Sequence, residues 1–416
     1  MVSEGLRTDI PNDWDVITLG DYAQIFRGGS PRPIQAFLTT SDQGINWIKI
    51  GDVGAGEKFI ESTEEKIIPE GVSHSRMVYK GDLILSNSMS YGRPYIMNIE
   101  GCIHDGWLVI QKYDRLFNRE YLYYALSSDL TMRQYVAMAA GSSVQNLNKE
   151  KVSKVVLPCP KILEQKKIAE ILSSIDALIV DLQKLIRKKK DIRQGTMQML
   201  VTGKKRLDGF DGNWQTTTLD KLCRLVTKQT GFDYSAEIKP SLVTTPQIGT
   251  IPFIQNKDFE AFDINYNTDF YIPYKVAEKY PKILLDEACL LISISGRIGN
   301  VAVFDNKQTA FAGGAVGIAK LFDPHLASWC MLYLSGREGQ EQIFSNEKVG
   351  AQHNLTVADV RKLEIKLPEK PEREAIIGVL TDMDDEIKLL TEKLQKYQKV
   401  KRGMMEKLLT GKVRLI

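Results

Sequence analysis

The sequence predicts an α+β protein with a pseudo-two-fold internal repeat, in which two globular domains of mixed helix and strand are joined by two long helices that form an intramolecular antiparallel coiled coil. The first indication is length, because 416 residues exceed what one ordinary hydrophobic core accommodates. The second is a repeat in which residues 164–207 align without gaps to residues 372–415, with 15 identities in 44 positions. We therefore expect globular domains and helical regions, in alternation, at 1–158, 159–207, 208–367 and 368–416.

Composition bounds the class of protein. A hydrophobic fraction of 43% and a charged fraction of 26% are typical of a globular chain. Five cysteines are scattered without a C-x-x-C pair, which argues against a zinc site and a disulfide framework and fits a reducing cytoplasm. No apolar run approaches the roughly 20 residues of a membrane span, and no signal-peptide pattern opens the chain. The net charge of +3 is only weakly basic, so overall charge does not announce a nucleic-acid partner.

The globular halves repeat more faintly than the helical regions. A tryptophan opens each half, at Trp14 and Trp214, and residues 81–92 resemble residues 288–299 in their apolar, serine and glycine positions. The spacing between matched segments drifts, which is the pattern expected if one scaffold carries two different recognition surfaces.

Short β-rich runs dominate each half. Residues 77–79, 83–85 and 107–110 are predicted strands of the first half, and the second half offers 283–285, 289–293 and 301–304. A helix is expected to close each set, over 120–139 and about 327–344. Each half is therefore predicted to hold a curved or barrel-like sheet and a few helices.

Each helical region follows a proline break and then repeats apolar residues at heptad spacing. Such a helix needs a partner for its apolar face, and that partner is either its own globular domain or the other helix. We favour pairing between the two helices, which must run antiparallel if a two-fold axis relates the repeats. The predicted seam consists of Ile168, Ile171, Ile175, Leu178, Leu182, Leu185, Ile376, Met383, Ile387, Leu390 and Leu394.

Basic residues cluster towards the end of each helical region, over 184–206 and 393–414. Such runs are most often solvated helix faces. Because they recur at matched places, contact with DNA phosphates or with an acidic partner is the alternative.

Catalytic signatures are not found in the sequence. The adenine-methyltransferase motif N/D-P-P-Y/F and the phosphate-binding motif G-x-x-x-x-G-K-[ST] do not occur, and Thr202-Gly203-Lys204 lacks the upstream glycine loop. The histidines and cysteines show no metal-ligand spacing. We therefore predict no catalytic residues, no metal site and no enzyme activity for this chain.

The order of these features resembles the specificity (S, HsdS-type) subunit of a Type I restriction–modification system. The resemblance depends on the two opening tryptophans, on the segments Gln-Asn-Leu at 145–147 and His-Asn-Leu at 353–355, and on the twin tails Leu-x-Thr-Gly-Lys-x-Arg-Leu. It implies two target-recognition domains that each read one half of a bipartite, asymmetric DNA site, and a coiled coil that sets the spacer. It also implies a bacterial or archaeal cytoplasmic complex with two modification methyltransferase (M) subunits and with restriction/translocase (R) subunits. S-adenosylmethionine, ATP and magnesium would belong to those partners, with no cofactor in this chain.

Base readout requires polar side chains on loops. In the first domain the candidates are Arg27, Arg32, Asn87, Ser88 and Arg93, and in the second Lys228, Gln229, Gln255, Asn256 and Arg297. Candidates for phosphate contacts are Ser142, Ser143, Gln145, Gln352 and His353. Any one of these is alternatively a surface or turn residue, and the repeated Gln-Asn-Leu segment is alternatively a structural turn.

Two other functions remain open from the sequence. The chain is alternatively the recognition part of a fused restriction–methyltransferase enzyme, or a scaffold for protein partners without a DNA role.

Overall fold

The computed structural model describes residues 10–54, 56–87, 92–139, 147–260, 263–345 and 354–415. Contacts divide the chain into two compact units. The first consists of Met1–Lys184 with Thr391–Ile416, and the second of Leu185–Leu390.

The strands of the first unit are β1 (Asp15–Thr18), β2 (Gln24–Arg27), β3 (Leu38–Thr39), β4 (Ile45–Ile48), β5 (Phe59–Ile60), β6 (Glu65–Ile67), β7 (Arg76–Val78), β8 (Leu83–Ser86), β9 (Pro94–Met97), β10 (Gly101–Ile103), β11 (Trp107–Gln111) and β12 (Val156–Cys159). They form one five-stranded sheet in the order β3-β6-β4-β10-β7, another in the order β2-β11-β8-β9-β5, and the pair β1-β12. The β10–β4 and β9–β5 pairs are parallel.

The helices with residues in the first unit are α1 (Leu19–Tyr22), α2 (Arg119–Leu126), α3 (Asp129–Ala139), α4 (Lys149–Ser153) and α5 (Ile162–Val201), of which residues 185–201 belong to the second unit. Short 3₁₀ turns lie at Ile34–Ala36, Ile50–Asp52 and Pro69–His74.

The strands of the second unit are β13 (Gln215–Thr218), β14 (Cys223–Lys228), β15 (Thr250–Ile254), β16 (Phe259–Glu260), β17 (Asp263–Ile264), β18 (Tyr271–Pro273), β19 (Leu284–Leu285), β20 (Cys289–Ser293), β21 (Val301–Phe304), β22 (Ala310–Ala312), β23 (Val316–Leu321) and β24 (Glu364–Leu367). The sheets have the orders β14-β23-β20-β21 and β18-β15-β22-β19, with the pairs β13-β24 and β16-β17. Apart from β3 and β5, the order in the two large sheets of the first unit is thus repeated in the second.

The helices of the second unit are α6 (Leu219–Leu222), α7 (Gly231–Asp233), α8 (Lys239–Ser241), α9 (Tyr274–Ala277), α10 (Leu326–Ser335), α11 (Arg337–Ser345), α12 (Val357–Lys362) and α13 (Lys370–Leu408), of which residues 391–408 belong to the first unit. A π-helical turn at Tyr234–Ile238 separates α7 from α8, and a 3₁₀ turn lies at Asn256–Asp258.

The predicted mixed α+β class is confirmed, and most of the predicted strands lie where they were expected. The predicted helix over 120–139 is instead two helices, because Ser128 accepts the backbone N–H of Thr131 at 3.2 Å and so caps a new helix start. The helix predicted over 327–344 is also two, broken at Gly336.

Both long helices contribute to both hydrophobic cores. In the first unit, Ile168 and Leu172 at the start of α5 and Leu408 at the end of α13 pack in one cluster with the strands β2, β8 and β11. In the second unit, Leu200 at the end of α5 and Ile376 at the start of α13 pack together in the corresponding cluster. Each unit therefore contains the start of one long helix and the end of the other.

Ion pairs between the long helices recur in both units. In the first, Lys401 of α13 lies 2.5 Å from Asp176 of α5. In the second, Arg193 of α5 binds Asp384 of α13 at 2.8 Å. Asp176 and Asp384 are equivalent in the internal repeat, so this contact is duplicated as the sequence is.

The buried stripe of α5 differs from the predicted seam. Ile168 and Leu182 are buried, but Leu178 and Leu185 are exposed, by 37% and 39%. Ile186 is buried instead, and Ile171 and Ile175 are half-buried. Adjacent apolar pairs at 171–172, 178–179 and 185–186 permit either heptad register, and we chose the wrong member at 178 and 185.

The predicted seam residues of α13 are all at least partly shielded from solvent. Ile376 is buried, and Met383, Ile387, Leu390 and Leu394 are half-buried.

At the start of each long helix, a glutamate binds an arginine from the tail of the other repeat. In the first clamp, formed by Trp14, Glu164 and Arg414, Arg414 donates from Nε and Nη2 to the Glu164 carboxylate at 2.8 and 2.9 Å. The Trp14 Nε1–H donates to the same carboxylate at 3.0 Å, and the guanidinium carbon lies 5.4 Å from the Trp14 ring centroid. The arginine of the twin tail is therefore bound by a glutamate.

The second clamp repeats this arrangement with Trp214, Glu372 and Arg206. Arg206 binds the Glu372 carboxylate in a bidentate manner, with Nη2 at 2.7 Å, and Trp214 Nε1–H donates to it at 3.0 Å. The guanidinium carbon again lies 5.4 Å from the tryptophan ring centroid. The repeated tail sequence thus has a structural function that the sequence alone did not reveal.

Candidate nucleic-acid interface

The candidate residues of the first domain lie where several strands end together. The first loop edge consists of residues 28–32 after β2, 49–53 after β4, Asn87 after β8 and 104–106 between β10 and β11. The ladder places these segments side by side, because Leu108 pairs with Arg27 and Trp107 pairs with Ser86. His104 N–H also donates to Ile48 O at 3.2 Å.

Asp105 organises the first loop edge. Its carboxylate accepts the hydroxyl of Ser30 at 2.8 Å, and its backbone carbonyl accepts Arg27 Nε–H at 3.0 Å. The Ser30 hydrogen bond, with His104 and Arg27 nearby, lowers the pKa of Asp105 below its ordinary value. Arg27 is thereby oriented while its side chain stays 61% exposed, with Nη2 3.6 Å from the Asp105 carboxylate.

Gly28 shows how tightly these loops approach one another. A Cβ at this position would lie 2.2 Å from His104 O, which no side chain tolerates. Because these two backbones lie so close together, the position of Arg27 is fixed relative to the 104–106 segment.

Asn87 is a correction to the predicted set of DNA-contacting side chains. It is only 4% exposed, and its Nδ2–H donates to Asp105 O at 2.9 Å. Its amide is committed to holding the loop, so we assign it a positioning role in place of the predicted contact with a base.

A cavity of about 680 Å³ opens beside Asp105. Its lining includes Arg32, Lys49, His104 and the buried Trp47. Burial lowers the pKa of His104, so the imidazole is neutral at physiological pH. Arg32 is exposed beside this cavity, whereas the Lys49 ammonium binds the Glu65 carboxylate at 3.0 Å.

The hairpin after β8 has a counterpart after β20. In the first domain Gly92, at φ 82°, donates from N–H to Ser86 O at 2.7 Å. In the second domain Gly299, at φ 87°, donates to Ser293 O at 3.1 Å. The left-handed backbone accounts for glycine at both matched positions. Arg93 follows Gly92 and is exposed.

The turns after β4 and β15 are also equivalent. Asp52 accepts the backbone N–H of Lys49 at 2.6 Å, and Asp258 accepts that of Gln255 at 2.8 Å. Each aspartate therefore fixes a 3₁₀ turn at its loop edge. The residue at the turn start is a lysine in one domain and a glutamine in the other.

The second loop edge consists of residues 228–231, 255–258, 294–300 and 313–315. Lys228 and Arg297 are exposed, and Gln255 and Asn256 are half-buried. Asn256 Nδ2–H donates to Ser295 O at 3.3 Å, which joins two of these loops. Gln229 is only 3% exposed, and neither of its amide atoms has a hydrogen-bond partner.

The predicted residues Ser88, Ser142, Ser143, Gln145, Gln352 and His353 lie outside the described residues. The sequence analysis missed Asp105, Lys49 and His104 as parts of the first loop edge. The signal available for Lys49 was its match to Gln255 within the faint repeat.

Ion pairs occupy part of the predicted basic runs. In the second unit Lys189 binds Glu386 at 2.7 Å, besides the pair between Arg193 and Asp384. These side chains bind carboxylates of the same unit, so they do not form a free basic surface as the alternative reading required.

Within the described ranges, no group of three or more His, Cys, Asp or Glu side chains is arranged to hold a metal ion. No helix in the same ranges is long and apolar enough to cross a membrane.

Two domains that present different polar side chains on one repeated scaffold define a recognition protein with two separate reading surfaces. Comparison with known families identifies that class more closely. The family described as "Type I restriction modification DNA specificity domain" matches residues 11–193 and 212–400. The chain belongs to this family of type I specificity subunits, whose role is DNA target recognition.

Known relatives span nearly the whole chain. The type I restriction enzyme MjaVIII specificity subunit of Methanocaldococcus jannaschii is 23% identical over 429 residues, covering 99% of this chain and 95% of the relative. The EcoBI specificity subunit of Escherichia coli is 21% identical, covering 88% of this chain and 78% of the relative.

Solved structures share the fold. A chain from a study of complex assembly and conformational transition in the type I R-M system has a TM-score of 0.61 at 16% identity, covering 97% of this chain and 99% of that one. The S subunit from M. genitalium has a TM-score of 0.54 at 13% identity, covering 96% of each chain.

Proposed function

We propose that this chain is the non-catalytic DNA-specificity subunit of a type I restriction–modification complex, and that each loop edge reads one half of a bipartite, asymmetric site. The observation that carries this proposal is the equivalence of the two edges. Matched turns and hairpins hold them, yet the matched turn begins with Lys49 in one domain and with Gln255 in the other. The matched hairpin glycine is followed by Arg93 in the first domain and by Asn300 in the second. Different side chains at equivalent places read different bases.

The side chains proposed for DNA contact fall into two groups. Exposed cations suit the phosphate backbone or guanine, and amides suit adenine. The proposed set keeps Arg27, Arg32, Arg93, Lys228, Gln229, Gln255, Asn256 and Arg297, together with Ser88, Ser142, Ser143, Gln145, Gln352 and His353 from the sequence prediction.

We further propose that α5 and α13 form an antiparallel coiled coil that sets the spacer between the half-sites. Within the second unit the pairs Lys189–Glu386 and Arg193–Asp384 run in opposite chain directions, which supports this geometry. Two modification methyltransferase subunits would dock on this repeated frame, and restriction/translocase subunits would join them. S-adenosylmethionine, ATP and magnesium would bind to those partners.

The test is methylation-site sequencing in cells that express this chain with its own methyltransferase. The proposal predicts one bipartite sequence with a fixed spacer. Methylation without preference for any bipartite site would overturn it.

A second experiment separates DNA reading from a purely protein-binding scaffold. Arg27→Ala and Arg297→Ala should weaken binding of the methyltransferase complex to target DNA and make it less sensitive to salt. Arg337→Ala is the matched control, because Arg337 is exposed and pairs with Glu341 on α11. Unchanged DNA binding by the Arg27 and Arg297 variants, with assembly intact, would favour the scaffold.

A further inference from the structure

Three glutamines are buried within the described residues, and one of them differs from the other two in its hydrogen bonding. Gln134 is 6% exposed and exchanges two hydrogen bonds with the backbone of Val156, at 2.8 and 2.9 Å. Gln165 is fully buried, donates to Leu116 O at 3.0 Å and accepts from Asn118 N–H at 2.8 Å. Gln229 is as buried as these, but its Nε2 and Oε1 both lack a partner.

A buried amide without hydrogen bonds is unfavourable, so its presence calls for a reason. For Gln134 and Gln165 the reason is structural, because each ties the backbone of two segments together. The amide of Gln229 joins no two segments of the unbound protein. We therefore look for its role in the molecule that the second loop edge binds.

The residues around Gln229 leave its side chain room to turn toward solvent. It lies between Lys228 and Thr230, which are both exposed. Gly314 is also exposed and lies against the amide, since a Cβ there would be 3.4 Å from Gln229 Oε1. The neighbour on that side therefore has no side chain, and no hydrogen bond holds the amide in place.

A second amide group without a hydrogen-bond partner lies beside the second loop edge. Asn354 Oδ1 is buried without a partner, and Asn354 forms a β-bridge with Ser295. Ser295 O in turn accepts from Asn256 Nδ2–H, so Asn354 is joined to two loops of this edge. The corresponding first loop edge differs, because its buried amide, Asn87, donates to Asp105 O.

We propose that Gln229 is a specificity-determining residue of the second domain, and that its amide turns outward to bind the edge of an adenine base. A side-chain amide carries an NH₂ group that donates and a carbonyl oxygen that accepts, which match adenine N7 and the N6 amino group in the major groove. The inference rests on the proposed function, and it predicts an A·T pair in the half-site read by the second domain.

The test compares Gln229→Met with Gln134→Met, both expressed with the methyltransferase. Methionine keeps the length of glutamine and removes its amide. We expect Gln229→Met to lose roughly ten- to hundredfold discrimination at one A·T position of one half-site, leaving the other half-site unchanged. Its thermal midpoint should be unchanged or higher, because no hydrogen bond is lost. Gln134→Met should show the reverse, a lower midpoint and an unchanged site.

The outcomes separate this inference from the proposed function. If the wild type methylates a bipartite site and Gln229→Met methylates it with equal discrimination, the role of Gln229 is wrong and the proposed function stands. A Gln229→Met chain with a lower midpoint, or one that fails to fold, would also overturn the inference, because the amide would then be structural. If the wild type shows no bipartite site, the proposed function fails and this inference fails with it.

Discussion

The carboxylate of Glu164 holds three separate parts of the first unit together. It accepts hydrogen bonds from Trp14 near the start of the first domain and from Arg414 in the tail of the second repeat. Glu164 itself lies at the start of α5 and is 7% exposed. A charged group at this depth depends on its partners, because burial alone penalises the ionised form.

Replacing this carboxylate with an amide tests the first clamp. Glu164→Gln keeps the size of the side chain but removes the charge that binds Arg414. We expect the free energy of unfolding to fall by about 2 kcal/mol, the range of hydrogen bonds to charged groups. Urea unfolding measures it, with Glu170→Gln as control, because Glu170 is exposed on the same helix. Equal losses from the two substitutions would contradict the clamp.

The same carboxylate predicts how stability depends on acid. The Arg414 hydrogen bond lowers the pKa of Glu164 below its ordinary value of 4.5. The folded state therefore binds this proton less readily than the unfolded state, and the stabilisation is complete above about pH 5. It is lost as the pH falls through the lowered pKa. The stability difference between wild type and Glu164→Gln should shrink below about pH 4 in urea unfolding, and a difference that persists there would exclude the ion pair as its source.

Several residues that are identical in the two copies of the repeat form interactions that are also duplicated. Glu164, Asp176 and Arg206 are all identical in the second copy, and each forms an interaction that is also duplicated. What the sequence could not reveal is which arginine meets which glutamate, because Arg414 and Glu164 are 250 positions apart. Only the fold brings the tail of one repeat to the helix start of the other.

In helix α5, adjacent apolar residues compete for the buried positions of the seam. Leu185 and Ile186 are both apolar, and three or four residues after Leu182 both lie on the same helix face. The side chain of Ile186 is only 8% exposed, whereas that of Leu185 is 39% exposed. The repeat contained a clue, because Leu172 and Ile179 recur as Leu380 and Ile387, whereas Leu178 has no apolar counterpart in the second copy.

Two adjacent substitutions test this register. Ile186→Ala should lower the free energy of unfolding by about 2 kcal/mol, because it removes buried methyl groups and leaves a cavity. Leu185→Ala should cost less than about 1 kcal/mol, because its side chain is already partly in solvent. Thermal or urea unfolding of the two variants measures the contrast. A larger loss for Leu185→Ala would return the seam to the predicted register.

The molecule as a whole combines a repeated frame with edges that differ. The sequence predicted two repeated domains and two long helices, because heptads, prolines and the twin tails are local patterns with fixed spacing. It predicted the loop edges less well. Arg27 was identified, but Asp105, which orients it, is 78 residues away along the chain. Asn87 was expected at the surface and is buried, because no local pattern indicates that its amide will meet Asp105 O.

If the helices set the distance between half-sites, lengthening them should change the spacer and nothing else. One heptad inserted after Lys184 in α5 and one after Leu390 in α13 keep the apolar stripe in phase. Seven helical residues add about 10 Å, and a base pair rises about 3.4 Å. The expected spacer is therefore about three base pairs longer, with both half-sites unaltered in methylation-site sequencing. The control inserts the heptad in α5 alone, which mismatches the paired helices and should reduce methylation. An unchanged spacer in an active double-insertion variant would show that the distance is set elsewhere.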